Sequence, residues 1–174
     1  SSLNQALRAA IDQRQDLLGQ LHQQGTDCYR LFHGSQEGAP GLTVDRYGPQ
    51  LLVQSFHQSL ERDALLQLHG IVNECLGLYT RLVYNDRARG NSSVDRKDTV
   101  YQADEAALQD LVGREWGLNY RVRGRHAGQD PLLFLDLRNA RGWVKEHSRH
   151  KSVLNLFAYT CGVGLTVEAG GARE

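Results

Sequence analysis

The residues of this chain best placed to do chemistry lie near its end. Ser152-Val153-Leu154-Asn155-Leu156-Phe157 reads as a buried strand that enters Ala158-Tyr159-Thr160-Cys161-Gly162-Val163-Gly164 and then a helical stretch. A strand that delivers the backbone into a glycine-bearing turn, with a helix directly after it, aims the helix's first N–H groups at a ligand. Glycine suits such turns because a Cβ either strains the backbone or blocks the ligand's approach. The dinucleotide pattern G-x-G-x-x-G fails at its third position, where Val167 follows Gly162 and Gly164. Spacing alone therefore leaves two readings open, a site for a nucleotide-like cofactor and an ordinary tight connection.

Ahead of this loop, Leu132 to Leu135 is a short apolar run of the kind found in strands covered on both faces, and Asp136 and Arg138 follow it. A guanidinium can pair bidentately with a ligand carboxylate, or it can serve in a structural salt bridge. Asp136 has three structural uses: pairing with Arg138, pairing with Arg141, or capping the helix predicted over Asn139 to His147. Asn155 is polar within an apolar strand, so its amide needs a partner, and it reads as a residue that fixes the loop. Phe157 and Tyr159 are either core aromatics or a cover for a cationic ligand.

A second group is basic. Arg81, Arg87, Arg89, Arg96 and Lys97 lie in and near the polar segment Asp86 to Asp98, which has no hydrophobic period. Leu118 to Arg123 alternates cleanly, with Arg121 and Arg123 on its outer face and Arg125 just beyond. This is the pattern of salt-sensitive phosphate contacts to RNA, or of a solvated face balanced by Asp86, Asp95 and Asp98. His33, His57, His69 and His126 show no ligand spacing, and neither do Cys28, Cys75 and Cys161, so no metal is expected.

These side chains need a scaffold. Leu3, Leu7, Ile11, Leu18 and Leu21 recur at helical spacing, which predicts one amphipathic helix to about Gln24, stopped by Gly25. Leu42 to Tyr47 and Leu51 to Phe56 flank the turn dipeptide Gly48-Pro49 and predict a β-hairpin, preceded by an exposed loop from Gly34 to Gly41. Ser59 is placed to cap a helix whose buried face runs from Leu60 to Leu76, with Glu61 and Asp63 at its positive end and Gly77 as its stop. Leu78 to Tyr84 then reads as a strand. The expected fold class is α/β: a small α+β domain over residues 26–126, preceded by a helix over residues 1–25, and then the beginning of a Rossmann-like domain over residues 127–174.

Composition narrows the classes. The chain has 174 residues, 40% of them apolar, which suffices for a real core, and no run approaches a membrane span. Its 20 basic and 20 acidic residues argue against a generally cationic coat, though not against a local patch. An odd number of cysteines fits free thiols in a reducing compartment, and a cytoplasmic protein is expected. The absence of methionine, at any position, fits a fragment of a longer chain.

The wording around the loop is more specific than its spacing. Leu135-Asp136-Leu137-Arg138-Asn139-Ala140-Arg141, then Val153-Leu154-Asn155-Leu156-Phe157-Ala158-Tyr159-Thr160, then Gly170-Gly171-Ala172, resembles the class I S-adenosylmethionine-dependent methyltransferases related to the bacterial 23S rRNA cytosine-5 methyltransferase. That group writes F-L-D-x-R-x-x-R, a short helix, and V-L-N-x-F-x-Y-T-G-G. The segments Tyr29-Arg30-Leu31-Phe32 and Pro40 to Gly48 also resemble the small α+β domain that precedes the catalytic domain there. The resemblance implies S-adenosylmethionine as cofactor, held by Arg138, Asp136, Phe157, Tyr159, Thr160, Gly162 and Gly164. It implies an RNA substrate, large-subunit rRNA methylated at cytosine C5, for which Arg87, Arg89, Arg96, Lys97, Arg121 and Arg123 of the basic group are the candidate contacts.

The departures matter as well. Cys161-Gly162 stands where the group has Gly-Gly, and a Cβ there is tolerable if the backbone angles are ordinary. Gly128-Gln129 is followed by Asp130-Pro131 in place of Lys-Thr-Gly, and a helix replaces the N-terminal RNA-binding domain of some members. The resemblance puts the catalytic residues, nucleophile included, in later strands beyond Glu174, so Cys161 is not the expected nucleophile. The competing reading is a non-catalytic RNA-binding or assembly module that keeps the accessory domain. A nucleotide-dependent oxidoreductase is disfavoured by Val167. No membrane partner is expected, and a homodimer is left open.

Overall fold

The computed structural model describes residues 2–88, 109–124, 131–156 and 158–173. In chain order they form α1 (Ser2–Gln13), α2 (Gln15–Gln23), β1 (Cys28–His33), a short α3 (Gly34–Glu37), β2 (Leu42–Tyr47), β3 (Gln50–Ser55), α4 (Arg62–Leu76) and β4 (Arg81–Asp86). After these come β5 (Leu111–Glu115), β6 (Leu118–Val122), a 3₁₀ turn (Leu135–Leu137), α5 (Arg138–His147) and α6 (Gly162–Ala169). The mixed α/β class expected from the sequence is what is found.

Strands β1 to β4 make a sheet in sequence order, antiparallel except for the parallel pair β3–β4. The parallel pair follows from α4, which carries the chain back across one face. On that face Leu31, Val44, Leu51, Val53, Leu82 and Tyr84 pack under Leu7, Ile11 and Leu18 of the first helices and under Leu65, Leu68 and Val72 of α4. Phe32 joins the same cluster as Leu31 because a register shift between Arg30 and Phe32 breaks the strict alternation of β1. On the other face Cys28, Tyr47, Leu52 and Val83 meet Tyr120, Val122 and Leu133. With both faces covered, every residue of β3 is buried.

The β5–β6 hairpin is clipped to the start of β1. The Asp27 N–H donates to Arg114 O, the Arg114 N–H to the Asp27 carboxylate, and the Trp116 N–H to Thr26 Oγ1, at 2.9, 2.7 and 3.0 Å. Gly48 makes this approach possible: its φ is +58°, and a Cβ there would stand 2.5 Å from Val112 O. Trp116 then links the hairpin to α5, its indole N–H donating to Arg138 O at 3.0 Å while Lys145 Nζ donates to Trp116 O at 2.9 Å. The indole rests on Gly142, where a Cβ would lie 2.6 Å from the ring. Under this contact Glu115 and Arg141, both buried, pair through Nε–Oε1 at 2.5 Å and Nη2–Oε2 at 2.9 Å.

Several expectations are corrected. The N-terminal helix breaks at Arg14 into α1 and α2. Gly34 to Gly41 is not wholly an exposed loop, since Gly34–Glu37 is helical and Gly34 is buried. Ser59 does not cap α4; its N-cap is Glu61, without a side-chain cap, and the Ser59 hydroxyl donates to the Asp86 carboxylate. The stop at Gly77 holds, with φ at +62°. The strand expected from Leu78 begins only at Arg81, because Thr80 is held back by hydrogen bonds to Asn73.

Two expected strands are not strands. Leu132 to Leu135 is irregular, with Leu132 at φ +71°, only Leu133 buried and Phe134 exposed. Ser152 to Leu156 is without strand pairing, and Leu154 and Leu156 are 82% and 74% exposed. A strand needs a neighbour to complete its hydrogen bonds, and among the described residues none runs beside either segment. Phe157 lies outside the described residues.

The buried pair generates a stability prediction. Arg141→Met should lower the unfolding free energy by about 3–5 kcal/mol, because it strands the Glu115 carboxylate away from water. The double variant Glu115→Leu with Arg141→Met should recover most of that loss. Urea unfolding of the three proteins measures both changes.

Candidate functional site

A cavity of about 620 Å³ lies between the four-stranded sheet and the segment 131–138. Tyr29, Arg30, Asp45, Tyr47 and Gln54 line it from the sheet, and Leu133, Phe134, Asp136 and Arg138 from the opposite side. Arg30 and Asp45 face each other across the β1–β2 ladder and pair bidentately, Nε–Oδ1 at 2.8 Å and Nη2–Oδ2 at 3.1 Å. Burial pushes the Asp45 carboxyl upward, against the opposing pull of Arg30. Tyr47 donates its hydroxyl to Leu133 O at 3.3 Å, tying the two walls together, and burial holds this phenol well above its ordinary value. Among the described residues two buried atoms of the lining have no partner: Gln54 Oε1, an acceptor, and Arg138 Nε, a donor.

The residues expected at a cofactor fall into two groups. Asp136 and Arg138 line the cavity. Asp136 pairs with neither expected arginine: Arg141 takes Glu115 instead and also donates to Phe134 O at 2.6 Å. Nor does Asp136 cap α5, whose N-cap is Leu137, without a side-chain bond. The helix expected from Asn139 begins one residue earlier, at Arg138.

Tyr159, Thr160, Gly162 and Gly164 form the turn and first residues of α6, outside the lining of that cavity. The groups approach each other where the Phe134 and Tyr159 rings lie 6.1 Å apart. Tyr120 fastens the turn from beneath, its hydroxyl 3.2 Å from Thr166 Oγ1, which in turn donates to Gly162 O at 2.7 Å. A Cβ on Gly164 would meet nothing within 4 Å, so this side of the turn is open. Cys161 is exposed and left-handed at φ +59°, so its backbone angles are not ordinary, and glycine would sit there with less strain. Asn155 is half-buried beside this turn in sequence.

The basic residues are also sorted by the fold. Arg87 lines the cavity, with its guanidinium 5.4 Å from the centre of the Phe56 ring. Arg121 and Arg123 converge on Asp110, Arg121 Nε at 3.2 Å and Arg123 Nη2 at 2.6 Å. Among the described residues their balancing acid is Asp110; Asp95 and Asp98 lie outside the described residues. Arg81 Nη1 donates to Gln109 Oε1 at 2.9 Å. Arg89, Arg96 and Lys97 lie outside the described residues.

Sequence reasoning missed Arg30, Asp45, Gln54 and the Glu115–Arg141 pair. A signal existed for the first two, since a correctly aligned β1–β2 ladder sets Arg30 opposite Asp45. None existed for Glu115, whose burial comes from α5 docking on the hairpin.

Comparison with known proteins identifies the family. The S-adenosylmethionine-dependent methyltransferase family profile matches residues 29–174. A ribosomal RNA large subunit methyltransferase of Deinococcus radiodurans is 34% identical over 173 residues, covering 97% of this chain and 41% of that protein. Ribosomal RNA large subunit methyltransferase I of Shigella flexneri is 29% identical over 155 residues, covering 86% of this chain and 37% of that protein. The chain therefore spans about two fifths of the length of these curated relatives. A putative SAM-dependent methyltransferase from Streptococcus mutans shares the fold at a TM-score of 0.73 and 23% identity, over 97% of this chain and 42% of that one. A putative methyltransferase complexed with SAH does so at 0.75 and 23%, over 97% and 41%. With the profile running from β1 to the last residue, the chain belongs to the S-adenosylmethionine-dependent methyltransferase family and is related to the ribosomal RNA large subunit methyltransferases.

Proposed function

We propose that the protein to which this chain belongs methylates RNA, namely large-subunit rRNA at cytosine C5, with S-adenosylmethionine as methyl donor. In this reading residues 26–126 form an accessory α+β domain and residues 127–174 begin the cofactor-binding domain. The observation that carries it is the buried Arg138 Nε–H, a charged donor without an acceptor among the described residues, inside the segment that matches the family. A buried guanidinium N–H in that condition fits an anionic ligand group.

When bound, the cofactor supplies an electrophilic methyl group. The part of this chain is to hold it. Arg138 pairs its planar fork with the amino-acid carboxylate, and Asp136, on the preceding 3₁₀ turn, suits the neighbouring ammonium. The first N–H groups of α6, at Gly162 to Gly164, are free of helix partners and favour negatively polarised oxygens. The exposed Tyr159 ring offers an aromatic face to the sulfonium or adenine. Arg121 and Arg123 supply phosphate contacts for the RNA, with Asp110 holding both side chains in one place.

Two measurements on the complete protein test this. Arg138→Lys should raise KM for S-adenosylmethionine about 10- to 100-fold and leave kcat within about twofold, since a contact several bonds from the methyl group is made equally in ground and transition states. An unchanged KM in a folded variant returns Arg138 to a structural role. Arg121→Ala with Arg123→Ala should weaken RNA binding similarly for all sequences and reduce the salt slope of log K by about 1 to 2 units. Filter binding across a salt series reads the slope, and an unchanged slope removes these arginines from the RNA face.

A further inference from the structure

Asp136 and Arg138 account for only one wall of the 620 Å³ cavity. The sheet-side wall carries the buried Asp45 and Gln54 beside an Arg30 that is 40% exposed, and a merely structural sheet face would not bury two such polar groups at a cavity. Gln54 is only 8% exposed, and its Oε1 accepts no hydrogen bond among the described residues. A buried acceptor without a donor is costly and marks the place of a missing donor. Phe134, on the facing wall, is 43% exposed although its neighbour Leu133 is fully enclosed, so an aromatic surface is left uncovered at the cavity. Among the described residues three guanidinium groups, Arg30, Arg87 and Arg138, line the space against two carboxylates, Asp45 and Asp136. Arg30 commits two of its five donors to Asp45, which fixes the side chain and leaves the others for a ligand.

We propose that this wall receives a single unstacked nucleotide of the RNA, with Gln54 Oε1 accepting a hydrogen bond from the edge of the base, Phe134 lying against its face, and Arg30 engaging its phosphate. Enzymes that modify a base must take it out of the stack and hold it in a pocket. Single-stranded RNA is recognised by this combination of aromatic face, polar base edge and guanidinium. The volume lies within the range of about 300–1,000 Å³ that small ligands occupy. The amino group of cytosine is a donor of the required kind. Asp45 acts as a positioning residue: its buried carboxylate holds the Arg30 guanidinium against the sheet. The inference rests on the reading of this protein as an RNA methyltransferase and extends it, because it sets the base on the wall opposite the cofactor residues.

The test uses this chain and cytidine 5′-monophosphate, followed by two-dimensional amide NMR. Cytidine monophosphate should shift resonances of Gln54, Arg30 and Phe134 and bind at least fivefold more tightly than ribose 5-phosphate, which lacks the base. Gln54→Leu should erase that preference and leave ribose 5-phosphate binding unchanged. Comparing the two ligands on the unaltered chain needs no variant, so a folding defect in Gln54→Leu does not remove the test. Equal affinity for the two ligands overturns the proposal by making the cavity a phosphate site alone. Absence of shifts at Gln54 overturns it, and so does displacement of the nucleotide by S-adenosylhomocysteine, which would make the wall part of the cofactor pocket. The two readings fail separately. An unchanged cofactor KM in Arg138→Lys, with nucleotide still bound at Gln54, defeats only the cofactor assignment, and the opposite pattern defeats only the nucleotide pocket.

Discussion

A carboxylate as deeply buried as Glu115 is tolerable only with a charged partner and further hydrogen bonds around it, and Arg141 meets that condition from α5. The same guanidinium donates to Phe134 O, so one side chain ties the hairpin to the segment that forms the far wall of the cavity. Trp116, at the hairpin turn, adds two bonds to α5 in the same place. Beside this pair, the segment 131–138 is set against the sheet by the apolar contacts of Leu133 and Leu135 and by the Tyr47 hydroxyl. The position of Arg138, and with it the shape of the cavity, depends on a salt bridge several residues away.

The sheet shows the complementary economy of a fully covered structure. Helices protect one face and the hairpin the other, so β3 is buried along its whole length and even its polar residues must find partners inside. Among the described residues neither polar atom of the Gln50 side chain has a partner, and Gln54 leaves its Oε1 unpaired. Ser55 succeeds, its hydroxyl 2.5 Å from the Tyr84 hydroxyl, which also accepts from the Leu60 N–H at 2.8 Å. Ser152 to Leu156 is the opposite case. It has the apolar composition of a central strand and, among the described residues, no strand beside it.

The turn after that segment leads into α6 in spite of the Cβ on Cys161. A left-handed backbone at a residue with a Cβ costs on the order of 1 kcal/mol, and α6 forms all the same because Tyr120 and Thr166 hold the turn from below. The strain therefore sits at the entrance of a helix whose first N–H groups are the free donors of the proposed cofactor site.

Local patterns in the sequence determined the elements that stabilise themselves: the 3.6-residue period of α4 with its Gly77 stop, the Gly48-Pro49 hairpin, the two-residue alternation from Leu118 to Val122, and the helix after Asp136. They also determined the family, because its motifs are runs of contiguous residues that need no fold to be read. Tertiary structure decided everything that depends on a neighbour. Whether an apolar run such as Leu132 to Leu135 becomes a strand is settled by the presence of another strand to bond with, and here there is none among the described residues. Which acid Arg141 takes is settled by the docking of α5 on the hairpin, which brings Glu115 closer than Asp136. The cavity itself joins β1, β2 and β3 to a segment some eighty residues later in the chain, as the Tyr47–Leu133 bond does, and its orphaned Gln54 carbonyl is made by burial from both sides. Hydrogen-bond satisfaction and burial are properties of packed surfaces, and no single segment carries them.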